Sequence, residues 1–440
     1  MHTSFTIALW ARAVARDEGY PAIASNKDWN SGTIRDYTER SNYGHSRTSG
    51  QLPGWAIALQ PNGAWAWNIG DGQQRLDYQP TLRQRIDDGH WHLLAFSVDT
   101  DREEAHLYFD GQQVALYSLS GLSSIDGSES IAPASSAVQV EDLQRWEGIV
   151  STEEIARHYR ERSGQMPASY PAHPDDAPLR VLAWNIWNGG REDGIDVGVE
   201  RVVECIQSCQ ADVIAMQETY GSGPRIADAL GYHLYLRSSN LSIISRYPAS
   251  QHHAHFRPFN LGGATLQLAP QRTLKLFSLW LHYLPDFCSD VQRADATAAG
   301  LIAAEYDTRA DEMQTILTEL RPHLDDAVPL IIAGDFNSPS HLDWTQAASP
   351  LHCDLAVEWP VSKDMAEAGF LDAYRQQHPD PVAQPGHTWT PRNPQSWQDR
   401  IDYVYYRGAH LHCTAAQVLN QHAVQWPSDH AAVLATFALR

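Results

Sequence analysis

The stretch LIIAGDFNSP, from Leu330 to Pro339, decides the fold of the second half of the chain. Its apolar run is short and bounded by turn residues, which predicts a fully buried strand. Asp335 and Asn337 end that strand and point the same way, because side chains alternate along a strand. Sheets of α/β proteins carry their chemistry at this edge. An acid and an amide there can orient a water and a phosphoryl oxygen together, and an ordinary polar turn is the alternative interpretation.

Other predicted strands between residues 178 and 440 also begin or end at polar side chains. Val199, Val202 and Ile206 have helical spacing between two of these strands, so strand, helix and strand follow one another. This order is typical of α/β organisation. The polar residues at the strand boundaries are Asn185, Glu218, His282, Asp335, Asn337, Asp402, Asp429 and His430.

The chemistry of this polar set favours a hard divalent cation. Carboxylates, amides and imidazoles combine oxygen ligands with proton carriers, which suits Mg²⁺ or Mn²⁺ rather than zinc. The sequence contains neither HExxH nor CxxC, which argues against the common zinc sites. It also lacks a P-loop and a GxSxG elbow, which argues against the nucleoside triphosphatases and serine acyltransferases built on those motifs.

Length and net charge limit the classes of protein to which this chain can belong. A chain of 440 residues is too long for one ordinary core, so two domains are expected. The net charge is −21, and residues 1–165 carry 14 basic and 22 acidic residues against 18 and 31 in the remainder. Neither half therefore has the basic footprint of a nucleic-acid-binding protein, although a bound cation would change the local field. No apolar run is long enough to span a bilayer.

The five cysteines do not form a disulfide framework, because their number is odd and their spacing is unpaired. Cys205 and Cys209 are four apart on a predicted helix and are interpreted as buried small apolar residues. No signal peptide is visible, since His2 to Arg12 already has the pattern of a strand. We expect a soluble, exported protein, extracellular or periplasmic. Whether the amino terminus was trimmed and how many copies assemble stay open.

Residues 1–165 have the pattern of an all-β domain. Short β-rich runs such as Phe5 to Arg12 and Gly54 to Leu59 recur between turn signals, which predicts a sandwich. Ser151 and Glu154 form a capping box that opens a short helix. The proline-rich residues 166–177 then predict a semi-rigid linker to a second domain at 178–440.

The first domain resembles the laminin G-like, concanavalin A-like lectin fold. The motifs that carry the resemblance are FTIALWARA, ASNKDWNSG, GWAIAL, DGHWHLLAFSVD, LYFDG and GIVSTEEIARHY. The resemblance implies an all-β jelly-roll sandwich that binds a carbohydrate or protein ligand, in some members with Ca²⁺. Trp29, Trp65 and Trp67 are either exposed ligand-binding rings or core residues, and core packing is favoured.

The second domain resembles the endonuclease/exonuclease/phosphatase superfamily, which includes pancreatic deoxyribonuclease, bacterial sphingomyelinases and inositol polyphosphate phosphatases. The motifs, in order, are WNIWN, DVIAMQET, LSIISRYP, LWLHY, AGDFNSP, RIDYVYY and PSDHAAV. The resemblance implies a four-layered α/β sandwich of two β-sheets flanked by helices. Trp280 departs from the pattern, because many members have asparagine two residues before the histidine of LWLHY. This departure concerns the shape of the phosphate pocket.

The resemblance also implies a role for each polar residue. Glu218 is expected to be the principal metal ligand, with Asn185 beside it. Asp429 is either a further ligand or a brace for its loop. The expected catalytic residues are His430 as general base, Asp402 as its orienting carboxylate, Asp335 and Asn337 as positioners of the nucleophile, and His282 as donor to the charge on phosphorus. Weaker candidates for a pocket lining are Arg191, His252, His253, His255 and Trp389, for which a solvated loop or plain packing is favoured.

The function predicted from the sequence is a Mg²⁺-dependent phosphoesterase that acts on a small molecule, lipid headgroup or glycan and is targeted by its lectin-like domain. One alternative is a metal-dependent endonuclease or exonuclease on DNA or RNA. Another is a glycan-binding or adhesion protein whose second domain is inactive.

Overall fold

The computed structural model describes residues 3–15, 19–27, 53–122, 125 and 136–439. These residues divide into two compact units. Unit 1 takes in the chain up to Pro171 together with Tyr220–Asn240 and Ile244–His252. Unit 2 takes in Ala172–Thr219, Leu241–Ile243 and the chain from His253 onward. The domain boundaries expected at 165 and 178 stay a prediction.

Strands and helices are numbered in chain order. In the described part of residues 1–171 they are β1 (Phe5–Ala13), β2 (Ala22–Ser25), β3 (Gly54–Leu59), β4 (Trp65–Gly70), β5 (Arg75–Tyr78), β6 (His92–Asp99), β7 (Glu104–Phe109), β8 (Gln112–Ser118), β9 (Val138–Glu147) and α1 (Thr152–Ser163). In residues 172–300 they begin with β10 (Leu179–Asn185), α2 (Trp187–Gly190), α3 (Val197–Cys209), β11 (Val213–Gln217), α4 (Gly223–Leu230), β12 (His233–Leu236), β13 (Ser242–Ser245), β14 (Ala249–His253), β15 (Leu261–Ala269), β16 (Arg272–Trp280), α5 (Phe287–Asp290) and α6 (Ala298–Tyr306). They continue with α7 (Arg309–Glu319), α8 (Arg321–Leu324), β17 (Leu330–Asp335), α9 (Pro360–Glu367), β18 (Leu371–Asp372), α10 (Ala373–Gln377), β19 (Asp402–Arg407), β20 (Leu411–Leu419) and β21 (Ala432–Leu439).

Unit 1 is strand-rich, as the sequence predicts. One sheet contains the order β9-β1-β6-β7-β8-β12, and a second sheet has the order β2-β3-β4-β5. The Phe96 ring packs against Trp55 and Trp67 with ring centroids 5.1 and 5.7 Å apart. Trp65 and Trp67 are both buried, which confirms core packing for these two rings. Trp29 lies outside the described residues.

Helix α1 is capped as the sequence predicts. The Ser151 side chain accepts from the Glu154 amide, and the Glu154 side chain accepts from the Ser151 amide. Tyr159 of this helix stacks on Trp10 of β1, with ring centroids 5.8 Å apart and planes 11° apart. The helix therefore covers the Trp10 side of that strand.

Residues Tyr220–Asn240 contribute a strand and a buried acid to unit 1. Strand β12 pairs in parallel with β8, so that Leu234 lies opposite Ala115. Asp228 Oδ2 accepts from the backbone amides of residues 81, 82 and 83, and its Oδ1 accepts from Gln84 Nε2 at 3.1 Å. A single carboxylate therefore satisfies four donors in this unit.

Unit 2 is an α/β sandwich of sheets and helices, which confirms the predicted fold class. One sheet contains the order β20-β21-β10-β11, and the other contains β15-β16-β17-β19-β18. Leu330 and Ile332 of β17 pack with Met313 and Ile316 of α7 in one apolar core. Because side chains alternate, Asp335 belongs to the opposite face of β17.

Gly334 allows close packing immediately before Asp335. A Cβ atom at Gly334 would lie 2.1 Å from the Leu279 carbonyl oxygen, and the residue has φ of +152°. Any larger residue would push β17 away from β16. Among the described residues, no helix has both the length and the apolar character needed to cross a membrane.

Replacing Asp228 tests its contribution to unit 1. We expect Asp228→Ala to lower the free energy of unfolding by about 2 kcal/mol, because it removes the acceptor of three backbone amides and of the buried Gln84 side chain. Urea unfolding of the full chain measures the change. Asp101→Ala, at an exposed turn, should stay within about 0.5 kcal/mol of the parent. Equal losses in the two variants would contradict the role of Asp228 as the acceptor of these four hydrogen bonds.

Candidate active site

The end of β17 is folded around the Asp335 carboxylate, which is 1% exposed. Its Oδ1 accepts from the Asn337 amide at 2.9 Å, and its Oδ2 accepts from Asn337 Nδ2 at 3.2 Å. Asn337 has φ of +49°, a left-handed conformation that asparagine tolerates better than most residues. Asn337 Nδ2 also donates to the Leu281 carbonyl at 2.9 Å. The turn predicted from the sequence thus fixes both side chains.

Asn185 at the end of β10 joins two acids. Its Nδ2 donates to Glu218 Oε1 at 3.2 Å and to Asp335 Oδ2 at 3.0 Å. The Asn188 amide donates to the other Glu218 oxygen at 2.9 Å. Strands β10 and β11 are parallel, with Asn185 opposite Gln217, so the two strands end together. The structure therefore brings Asn185, Glu218 and Asp335 into one cluster.

His430 is held by Asp402 on one side and faces Asp335 on the other. Its Nδ1 lies 2.9 Å from Asp402 Oδ2, and its Nε2 lies 3.8 Å from Asp335 Oδ2. Asp402 is opposite Asp335 in the antiparallel pairing of β17 and β19, which explains their proximity. The contact with Asp402 indicates that Nδ1 carries a hydrogen and donates it to that carboxylate. Nε2 then faces Asp335.

Burial dominates the electrostatics of this cluster. It raises the pKa of Asp335 to about 7, against the lowering effect of His430. Burial also raises the pKa of Asp429 to about 6, where His430 lowers it and Glu218 raises it further. The pKa of His430 is lowered by burial, but the carboxylates of Asp402 and Asp335 outweigh this effect and raise it well above its ordinary value. The cluster is therefore short of positive charge.

The donor set fits a divalent cation. One ligand atom from each of Asp335, Asp402 and His430 lies within 4.8 Å of the others, and all three residues are buried. Asp402 Oδ1 and Asp429 Oδ1 are buried oxygens without a hydrogen-bond partner in the described structure. Buried carboxylate oxygens are usually satisfied, and a hard cation satisfies them well. The residues present can therefore hold the Mg²⁺ or Mn²⁺ that the sequence predicts.

His282 follows β16, and among the described residues its ring forms no hydrogen bond with the acids of this cluster. Its amide donates to Glu312 Oε2 at 3.1 Å, and its Nδ1 accepts from the Leu284 amide at 3.0 Å. The ring stacks on Tyr283 with planes 11° apart and centroids 5.1 Å apart. The connection to Asp335 runs through the backbone, because the Leu281 amide donates to the Asp335 carbonyl at 3.0 Å.

The weaker pocket candidates differ in their surroundings. The Trp389 ring packs on His430, with centroids 5.0 Å apart and planes 61° apart. Arg191 Nε donates to the Asn188 carbonyl at 3.0 Å, next to the amide that holds Glu218. The three histidines make other contacts: His252 with the Arg102 carbonyl, His253 with Thr265 and Phe277, and His255 with His323.

Two loop residues, Thr388 and Ser428, hold Asp402 and His430 in place. Nothing in the sequence pattern indicated these two residues. The Thr388 hydroxyl accepts from the Ile401 and Asp402 amides at 3.0 and 3.1 Å, and its carbonyl accepts from the Ala431 amide at 2.7 Å. The Ser428 hydroxyl donates to the Asn185 carbonyl at 2.7 Å and accepts from the His430 amide at 3.0 Å. In the sequence, each of these residues is visible only as a single threonine or serine in a predicted loop, which does not indicate its hydrogen bonds.

Arg400 forms a buried ion-pair network beside Asp402. Its Nε and Nη2 donate to the two oxygens of Asp343, both at 2.9 Å, and its Nη1 lies 2.7 Å from Asp372 Oδ2. Arg375 is a second partner of Asp343. A network of this kind fixes the start of β19, where Asp402 lies.

Two protein-family models match this chain. A model described as the endonuclease/exonuclease/phosphatase family matches residues 182–430, which is more than half of the chain. The chain belongs to this family. Its endonuclease/exonuclease/phosphatase domain contains every polar residue of the cluster. A second model, described as the concanavalin A-like lectin/glucanases superfamily, matches residues 1–156. Both resemblances seen in the sequence motifs are confirmed.

Individual proteins also resemble this endonuclease/exonuclease/phosphatase family member. The uncharacterized protein F14F9.5 of Caenorhabditis elegans is 28% identical over an alignment of 289 positions that covers 59% of this chain and 91% of that protein. A solved endonuclease/exonuclease/phosphatase from Beutenbergia cavernae DSM 12333 is 19% identical, with 60% of this chain and 72% of that chain covered and a TM-score of 0.41. The human Nocturnin catalytic domain with bound sulfate is 18% identical, with 60% and 94% covered and a TM-score of 0.41.

Asn185→Asp tests the bridge between the two acids. We expect this variant in EDTA to lose about 1 to 3 kcal/mol of unfolding free energy, because the amide donors disappear and a third carboxylate meets Glu218 and Asp335. Urea unfolding with chelator present measures the loss. Asn393→Asp makes the same change at an exposed position and should shift stability by no more than about 0.5 kcal/mol. An equal effect at both positions would argue against the bridge.

Proposed function

We propose that this protein is a Mg²⁺-dependent phosphoesterase that hydrolyses a phosphomonoester or phosphodiester of a small molecule, lipid headgroup or glycan. The observation that carries the proposal is the convergence of Asn185, Glu218, Asp335, Asp402 and His430 in one buried cluster. Such a set combines oxygen ligands with an imidazole held by a carboxylate, which is what attack of water on phosphorus requires.

His430 acts as the general base in the proposed mechanism. Asp402 holds its Nδ1 hydrogen and fixes the ring. A cation bound at the acids would offset the negative charge that raises the pKa of His430, so that a neutral Nε2 can take a proton from the attacking water. Asp335 and Asn337, fixed by their mutual hydrogen bonds, orient that water for in-line attack on phosphorus. The reaction proceeds without a covalent enzyme intermediate, and the leaving oxygen departs opposite the water.

His282 and the metal ligands complete the proposed site. His282 donates to a phosphoryl oxygen as charge develops there. Glu218 would hold the cation together with Asn185 and Asp429, and the Oδ1 atom of Asp429 has no hydrogen-bond partner in the described structure. When bound, the cation supplies positive charge to the phosphoryl and leaving oxygens.

The lectin-like domain targets the enzyme to its substrate in this proposal, through a carbohydrate or protein ligand. A nuclease is the second candidate function, because the family name covers nucleases and phosphatases alike. The net charge of −21 favours the small ester over a nucleic acid, since no excess of basic residues attracts a polyanion.

His430→Gln tests the general base. We expect kcat on the preferred ester to fall by about 10²- to 10⁴-fold, because the water loses its proton acceptor. The wild-type protein is first assayed with Mg²⁺ on plasmid DNA, RNA and a panel of phosphomonoesters and phosphodiesters. His410→Ala, at an exposed position, should retain the wild-type rate. Strong DNA cleavage without turnover of any small ester would replace the proposal with the nuclease.

Metal addition tests the cation site independently of the substrate. At a Mg²⁺ concentration 100 times its dissociation constant, we expect the free energy of unfolding to rise by about 2.7 kcal/mol. Thermal unfolding with EDTA and with Mg²⁺ or Mn²⁺ measures the difference, and Glu218→Gln should abolish most of it. No shift with either cation would favour a glycan-binding or adhesion protein with an inactive second domain.

A further inference from the structure

Trp280 lies at the edge of the acid cluster, at the last position of β16. In the parallel pairing of β16 and β17 its partner is Asp335. Paired residues of neighbouring strands point to the same face of a sheet, so the indole lies on the Asp335 side. Leu279 and Leu281, its neighbours in sequence, are buried in the core on the other face. The indole itself is half-buried.

Three further rings extend from Trp280 and form with it the aromatic wall, defined as Phe259, Trp280, His282 and Tyr283. Phe259 meets Trp280 edge to face, with centroids 5.2 Å apart. His282 and Tyr283 lie 6.2 and 6.4 Å from the indole and are nearly parallel to each other. Tyr283 is 57% exposed, so the wall presents ring surface to solvent.

The backbone that carries the aromatic wall is fixed rather than free. Arg309 Nη1 donates to the carbonyls of His282 and Pro285 at 3.2 and 2.9 Å. Arg309 is itself buried and paired with Glu305 at 2.7 Å. The Asn337 side chain also binds the Leu281 carbonyl, so the wall and the Asp335 turn share a support. A fixed wall can select a ligand by shape with little loss of conformational entropy.

We propose that the aromatic wall binds a planar aromatic ring carried by the substrate and so makes this enzyme selective for phosphate esters that contain such a ring. The inference rests on the proposed phosphoesterase function and names its substrate class. The ring is either an aryl group or a nucleobase, because both offer a flat π face. Ring pairs contribute about 0.5 to 1.5 kcal/mol beyond the apolar area that they bury.

An aromatic ring suits this wall better than a lipid chain does. The imidazole of His282 and the phenol of Tyr283 are amphipathic, so the wall is not a continuous apolar groove. Edge and face contacts are already present among its rings, and a substrate ring extends that pattern. The net charge of −21 also opposes approach to an anionic membrane surface.

Two matched ester pairs test the proposal. Benzyl phosphate and cyclohexylmethyl phosphate have similar size and similar alkyl leaving groups but differ in aromaticity. Adenosine 5′-monophosphate and ribose 5-phosphate differ by a nucleobase. We expect wild-type kcat/KM to favour the aromatic member of at least one pair by about threefold to tenfold, and the pair that shows the preference identifies the aryl group or the base.

Variants of the wall connect the preference to its residues. Trp280→Ala and Tyr283→Ala should each reduce the ratio of kcat/KM within the preferred pair, whereas Trp280→Phe should retain most of it. Tyr283 is exposed, so its variant keeps the test valid even if Trp280→Ala does not fold. Tyr306→Ala removes an aromatic ring that is 50% exposed elsewhere and should leave the ratio unchanged.

The outcomes separate this proposal from the phosphoesterase function. Hydrolysis of both members of each pair at equal rates, or a preference that survives Trp280→Ala and Tyr283→Ala, overturns the aromatic wall while the enzyme assignment stands. If no ester is hydrolysed, titration calorimetry with benzylphosphonate and cyclohexylmethylphosphonate in Mg²⁺ still compares the two groups. Equal affinities in that titration also overturn the proposal.

Discussion

The amide of Asn185, held between Glu218 and Asp335, is the interaction on which the cluster depends. Burial raises the pKa of Asp335 to about 7 and that of Asp429 to about 6, so ionised acids are costly here. Each neighbouring donor reduces that cost, and Asn185 serves two acids at once. The strands that present these side chains end together because β10 and β11 are parallel and in register. Sheet geometry and electrostatics therefore support each other.

The parts of the site that are local in sequence could be predicted, and the parts that depend on distant loops could not. The turn after β17 is encoded by Asp335 and Asn337 themselves, two residues apart. Thr388, by contrast, acts through the amides of Ile401 and Asp402, and nothing in a lone threonine indicates that partnership. Arg400 and Asp343 are separated by 57 residues, so their buried pairing depends on the assembled sheet. Periodicity identifies elements, but it does not identify which loops meet.

In the first domain, too, the strands could be predicted from local sequence, whereas the contacts between distant segments could not. Short β-rich runs between turn signals predicted its strands, and Trp65 and Trp67 are buried together with the rest of β4. The membership of residues Tyr220–Asn240 in unit 1 follows from contacts that no pattern reveals. Asp228 looks like an ordinary helix residue in the sequence, yet its carboxylate binds the amides of residues 81 to 83. A buried acid of this kind is recognisable only once its donors are known.

Trp280 occupies a position at which many members of the family have asparagine. The residue is paired with Asp335, so whatever stands there borders the place where phosphorus is proposed to react. An asparagine there would offer an amide to a phosphate oxygen, whereas an indole offers a flat apolar face and one donor. The acids around Asp335 would keep their chemistry in either case, because their hydrogen bonds do not involve residue 280. In the proposed function, selectivity would therefore lie beside the cluster, on a strand end that can vary while the acids are preserved.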